Sequence, residues 1–166
     1  MTETFEPKPI TRQGVASAIK KAEHYRLLND PDAAESICLD ILEVDPDNEI
    51  ARIILILALT DQFGAATAPS ASSIRKHLDK LSSEYHRRYY AGIIAEREAR
   101  AFLGRGRSRV FAYEGYREAM ELYDQAAELS EPENDDAVLR WNSCARVIKR
   151  EHLRPRPSDD QELPLE

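Results

Sequence analysis

The segment from Val15 to Asn48 constrains this chain most. Val15, Ala18, Ile19, Ala22 and Tyr25 fall on one broad helical face, and Ala34, Ile37, Cys38, Ile41 and Leu42 follow at i, i+3, i+4, i+7 and i+8. Each set draws an apolar stripe along an α-helix. Asn29-Asp30-Pro31 separates the two. Asp30 suits the N-cap, because its carboxylate can accept from an orphan amide, and Pro31 at the first helical position loses no needed donor. Asp45-Pro46-Asp47 ends the second helix. The segment therefore reads as two antiparallel helices joined by a tight turn.

The same helical period continues beyond it, and no stretch alternates apolar and polar residues as a strand does. The first helix begins near Thr11, whose hydroxyl can cap it, and runs to Leu28. A third spans about Asn48 to Gln62 and contains the most apolar run, Ile53 to Leu59, flanked by Arg52 and Asp61. A helix apolar on all sides is covered on more than one face. Gly64 to Ser70 reads as a loop, and Ala71 to Ser82 as a short fourth helix with Ile74, Leu78 and Leu81 on one side. The fifth covers about Glu84 to Leu103, and Gly104 to Arg109 is a basic loop. The sixth covers Phe111 to Ser130, with Tyr113, Tyr116 and Tyr123 as core residues, and the seventh Asp135 to His152. Residues 1–10 read as a flexible N-terminus, and 153–166 as a disordered acidic tail containing Pro.

Composition narrows the function classes. The 166 residues are 42% hydrophobic and 32% charged, which suits one globular domain or a short solenoid. The formal net charge of −7 argues against general nucleic-acid binding, which needs surplus Lys and Arg to neutralise phosphates. Seven apolar residues fall far short of the roughly 20 that span a bilayer, and no signal-peptide core precedes them. A cytoplasmic protein is expected. Cys38 and Cys144 match no zinc, haem or redox spacing and read as buried thiols.

Spacing suggests how the helices are organised. From Ala22 the steps are 3 to Tyr25, 9 to Ala34, 4 to Cys38, 3 to Ile41 and 5 to Pro46. This segment resembles the tetratricopeptide repeat, a 34-residue helix-turn-helix with small, aromatic and Pro anchors at such intervals. Lys21, Cys38 and Ile41 depart from the residues usual at their places. Ala119, Tyr123 and Ala126 look like another second helix, with Ala99 and Phe102 as anchors of its first and the basic loop as an insertion. The resemblance implies an all-α, tetratricopeptide-like solenoid of about seven helices over residues 11–152, a right-handed stack of helix pairs. It also implies a protein-binding or scaffolding role without catalysis. Small residues such as Ala22 and Ala34 would let the first two helices approach, with Tyr25 filling the groove beside them.

In the family, ligand peptides lie along the first helix of each repeat. Those positions fall here on Ala16, Ile19, Glu23 and Arg26. Family members that clamp a chaperone's terminal carboxylate carry Lys and Asn at two of these places, where this chain has Ile19 and Glu23. The candidate partner-binding residues are therefore Ile19, Glu23 and Arg26, together with Arg105, Arg107 and Arg109 of the basic loop. The partner would be a protein or peptide of unstated identity, and self-association stays open.

No Glu-x-x-His or His-Glu-x-x-His pattern surrounds His24, His77, His86 or His152. Gly104-Arg105-Gly106 is not followed by the Gly-Lys-Ser/Thr of a phosphate loop. Catalytic, metal and cofactor residues are thus not assigned. Glu96, Glu98, Glu114, Glu118 and Glu121 sit near Arg97, Arg100 and Arg117 as ordinary surface pairs. Two rivals remain: a small helical-bundle enzyme or ligand-binding protein with its site between helices, and a nucleic-acid adaptor that requires His86, Arg87, Arg88, Arg105, Arg107 and Arg109 to converge.

Overall fold

The computed structural model describes residues 2–104 and 108–157. Its helices are α1 (Val15–Leu27), α2 (Pro31–Val44), α3 (Glu49–Asp61), α4 (Ala71–Arg75), α5 (Glu84–Gly104), α6 (Arg109–Glu128) and α7 (Asp136–Arg150). No strand occurs among the described residues, so the chain is all-α.

Local chemistry sets these boundaries. Thr11 Oγ1 accepts from the Gly14 amide at 3.1 Å and caps a short 3-10 turn, Arg12–Gly14, that leads into α1. Asn29 then takes φ +59°, which turns the chain out of α1. The Asn29 amide bonds to Arg26 O and that of Asp30 to Tyr25 O, satisfying carbonyls the helix end would otherwise orphan. Asp30 Oδ1 accepts from Ala33 N at 3.2 Å and starts α2. Asn48 caps α3 and Ser70 caps α4 in the same way. At the far end His152 takes φ +52°, and the Leu153 amide reaches back to Ile148 O at 3.0 Å. That closure folds Leu153 into the core, 5% exposed. The first residue assigned to the tail from composition is thus part of the packed unit.

The expected fourth helix is divided. Only Ala71–Arg75 is α-helical, and Leu78–Lys80 forms a 3-10 turn. Ser72 and Ser73 are weak helix formers, and five residues fall short of a stable nucleus. Ile74, Leu78 and Leu81 are buried nonetheless. The apolar spacing identified the buried side chains but not the backbone that presents them.

Neighbouring helices pack in order. α1 pairs with α2 and α5 with α6, while α2 leans on α3 and α6 on α7. α3 also touches α1 and α5, and α4 packs on α3 and α5. Two apolar clusters result. One gathers Ala22, Cys38, Ile54, Leu55, Ile56, Leu59, Ile74 and Leu81 from the N-terminal half with Ile94 of α5. The other gathers Ile93, Ala99, Ala112, Tyr116, Tyr123 and Cys144. Tyr90 packs against both. Ala22 and Ala34 are fully buried, as the small-residue spacing requires. Tyr25 is not the groove filler expected: it is 36% exposed. α1 is the first helix and has only α2 and α3 to pack against, so its outer flank meets solvent.

The second pair is closer than the first. A Cβ added to Gly92 would lie 2.5 Å from Tyr123 Cε1, and one added to Gly115 would lie 2.9 Å from Ala99 Cβ. Glycine is a poor residue for a helix interior. Here its missing side chain lets α5 and α6 approach at two levels.

Candidate functional site

α1, α3 and α5 bring polar side chains together at their C-terminal ends. Asp61, the last residue of α3, accepts through Oδ2 from Arg26 Nε of α1 at 2.7 Å and through Oδ1 from Arg97 Nη1 of α5 at 2.6 Å. Arg97 Nη1 also donates to Thr60 Oγ1 at 2.8 Å and to Leu57 O at 3.1 Å. One carboxylate thus joins three helices, and the Arg97 guanidinium also ties down the Leu57 carbonyl near the end of α3. Burial pulls the Arg97 guanidinium below its ordinary value, with Asp61 acting against the pull.

The second node is Glu96, one residue before Arg97 and 1% exposed. Its Oε2 accepts from the Tyr123 hydroxyl of α6 at 2.6 Å. Its Oε1 accepts from Arg100 at 3.3 Å and from Arg140 of α7 at 3.4 Å. Burial pushes the Tyr123 phenol far up, and the Glu96 carboxyl adds to the effect, so Tyr123 stays a donor. Burial alone would lower Arg140, but Glu96 and Tyr89 hold it above its ordinary value. Charge-assisted bonds of this kind are stronger than neutral ones and fix orientation. Together the two carboxylates tie α1 to α3, α3 to α5, and α5 to both α6 and α7.

Two clefts flank Arg100. The first, about 420 Å³, lies between α3 and α5 and is lined by Thr60, Asp61, Phe63, Arg97, Arg100 and Ala101. The second, about 500 Å³, lies across α5, α6 and α7 and is lined by Arg100, Leu103, Tyr116, Ser143, Val147 and Arg150. The Arg100 side chain, 62% exposed, forms the ridge between them.

The residues selected from sequence are scattered by comparison. Ile19 is half-buried and lines a separate cleft of about 330 Å³ with Arg12, Val15, Ala16, Asp45 and Asn48. Glu23 is exposed on α1, and Arg26 belongs to the Asp61 node. Arg105 and Arg107 lie outside the described residues. Arg109 is not a loop residue: it opens α6 and donates to the Glu151 carbonyl just past α7. A cation is favoured there because the last carbonyls of a helix carry partial negative charge. The nucleic-acid set does not converge among the described residues. Glu84 engages Arg87 and Arg88, and Glu49 engages His86, all at the start of α5. Arg109 follows the other end of that helix, about 30 Å away at 1.5 Å per residue.

Reading Glu96, Arg97 and Arg100 as ordinary surface pairs captured only Glu96–Arg100. The partners from other helices, Asp61, Tyr123 and Arg140, escaped it because no spacing rule links residues 27 to 44 positions apart. A carboxylate on the same stripe as Ile93 and within a turn of Ala99 was the available signal. Cys38 and Cys144 are both buried, and burial pushes each thiol up to about 12. They remain protonated and inert as nucleophiles.

Among the described residues no three His, Cys, Asp or Glu side chains gather as a metal cluster would. No described helix is long and apolar enough to cross a membrane. No protein-family model matches the chain, and no curated protein matches it significantly.

Proposed function

We propose that this protein is a non-enzymatic protein-binding module built as a tetratricopeptide-like stack of helix pairs. Its binding face would be formed by α1, α3, α5 and α7. The observation that carries the reading is the alternation of partners along the chain. Odd-numbered helices are joined side by side, α1 to α3 to α5 through Asp61 and α5 to α7 through Glu96. α2 and α6 pack behind the odd helices they follow. Repeat architectures use the open side of such a row to hold extended partners; here α3 has no exposed residue between Ala51 and Thr60, and the row opens to solvent at the helix ends, at Asp61 and Arg100.

The rival, a small helical-bundle enzyme, needs a closed pocket with converging reactive groups. The clefts are open, and the carboxylates beside them are already consumed in ion pairs. That weighs toward holding rather than reacting.

The test is selection of a random peptide library on the purified chain, followed by amide-exchange mapping of the best binder. Protection should concentrate on α1, α3, α5 and α7. Failure to enrich any peptide, or protection confined to α2, α4 and α6, would overturn the reading.

A further inference from the structure

We propose that the ridge at Arg100, with the clefts on either side, is the docking site for an acidic, extended peptide segment of a partner protein. This rests on the protein-binding reading and names the chemistry of its partner. The argument begins with charge. Around the ridge stand Arg26, Arg97, Arg100, Arg140 and Arg150, against Asp61, Glu96 and Glu151. Five guanidinium groups face three carboxylates, a local surplus of positive charge on a chain of net charge −7.

Every one of those carboxylates is already engaged. Asp61 serves Arg26 and Arg97, Glu96 serves Arg100, Arg140 and Tyr123, and Glu151 Oε1 accepts from Arg150 at 3.1 Å. The cations are less consumed. Arg100 has five N–H donors, and among the described residues its one salt-bridge contact, at 3.3 Å, is to Glu96. Glu96 anchors the ridge from beneath and leaves the outer edge of the guanidinium to solvent. A planar guanidinium presented in this way pairs with an incoming carboxylate through two parallel bonds.

The clefts explain why the partner is a chain and not a small anion. Their linings set apolar side chains among the charges: Phe63 and Ala101 on one side, Leu103 and Val147 on the other. An extended peptide advances about 3.3 Å per residue, and neighbouring helices lie about 8–10 Å apart. About three residues therefore carry it from one cleft to the next. A carboxylate over Arg100 with an apolar side chain in each cleft satisfies charge and burial together. Arg150 on the far wall, with its side chain 68% exposed, offers a second anchor.

The test uses fluorescence anisotropy with the full chain and three labelled probes at low salt. These are a peptide alternating Glu or Asp with Leu, the same peptide with Gln and Asn for the acids, and single-stranded RNA of equal charge. The acidic peptide should bind at least tenfold more tightly than its amide version and weaken steeply with added salt. R100E should lose at least tenfold in affinity; because it also removes a partner of the buried Glu96, its melting temperature is measured beside it, and R150E carries the test if R100E unfolds. R150E, a change at a mostly exposed side chain, should lose severalfold. R88E, at the opposite end of α5, should bind as the parent does. Equal binding of the acidic and amide peptides, or unchanged binding in both R100E and R150E, would overturn the proposal, as would RNA binding more tightly than the acidic peptide. If library selection yields only neutral peptides that protect α1 and α3, this site falls while the protein-binding reading stands. If no peptide is selected at all, both fall.

Discussion

The α1–α2 pair and the α5–α6 pair solve the same packing problem with different residues. α1 and α2 are 13 and 14 residues long and pack on each other with Ala22, Ala34 and Cys38 fully buried. α5 and α6 are 21 and 20 residues long and meet through Gly92 against Tyr123 and Gly115 against Ala99. The buried residues of the first pair are all apolar. The second sets a buried carboxyl, Glu96, beside the aromatic ring it grips. Alanine spacing suffices for short helices. Helices of about 30 Å must stay close over their whole length, and here they do so with glycine at two levels and a hydrogen bond that fixes the ring between them.

The largest effect on this comparison should come from Glu96→Ala. It would strand the Tyr123 hydroxyl and leave Arg100 and Arg140 without their shared partner. Breaking a buried pair costs about 3–5 kcal/mol, and the lower end applies because both Arg side chains can regain water. Chemical denaturation should show a loss of about 3 kcal/mol. A loss below 1 kcal/mol would mean the node is dispensable and the two pairs differ only in glycine.

Ala22→Leu and Gly92→Ala test the two contacts directly. Leu at 22 overfills the first contact and should cost roughly 1–3 kcal/mol. Ala at 92 is the better helix former by about 1 kcal/mol, but its Cβ meets a ring held in place by Glu96. A net loss of about 1–2 kcal/mol is expected, read as a fall of a few degrees in Tm. If Gly92→Ala raises the melting temperature, the close approach of α5 and α6 is not limiting.

A pH effect should belong to the N-terminal half. His77 is half-buried, and its Nδ1 lies 3.5 Å from Arg52 Nη1. Burial, then Arg52 and Lys80, hold the imidazole below its ordinary value of 6.5. Near that pH the unfolded chain binds more protons than the folded one, so stability falls as pH drops below about 6.5. That window lies above the one set by Glu49 and Glu84, whose carboxyls are held below the usual range by hydrogen bonds from Ser82 and from Arg87. Denaturation midpoints at pH 7.5 and 5.5 should differ in the parent and converge in His77→Gln. An unchanged difference in that variant would place the titrating group elsewhere.

The smallest effect should be Gly104→Ala at the end of α5. Among the described residues, nothing lies within 4 Å of the added Cβ. The change should raise stability by about 0.5 kcal/mol, through the lost freedom of the unfolded chain. Its sign, opposite to that of Gly92→Ala, separates a glycine kept for contact from one that is not.

Much of the fold was legible in the sequence because helix formation is local. The periods of 3.6 and the signals at Asp30-Pro31 and Asn48 place α2 and α3 within about one residue, while the first turn expected of α1 after Thr11 is 3-10, since capping and stripe burial act over a single turn. Ala22, Ala34 and Tyr123 are buried, as their helical spacing implies. Ile19, Glu23 and Arg26 were placed on α1, but the charge cluster that gathers around Arg26 was not foreseen. Asp61, Glu96, Arg97 and Arg140 each look like a solvent-facing charge when read along its own helix. Only the stacking of α3, α5 and α7 brings them within 2.6 to 3.4 Å of a partner. The roles of Gly92 and Gly115 were hidden for the same reason: a missing Cβ acquires meaning only from the helix that comes to rest against it. Sequence by itself determined that the chain is helical, where the turns fall and which stripes are apolar, because these depend on neighbours one or two turns away. Tertiary structure alone decided which charges meet, how close α5 and α6 lie and where the Arg100 ridge stands, because those contacts join residues that the chain separates by dozens of positions.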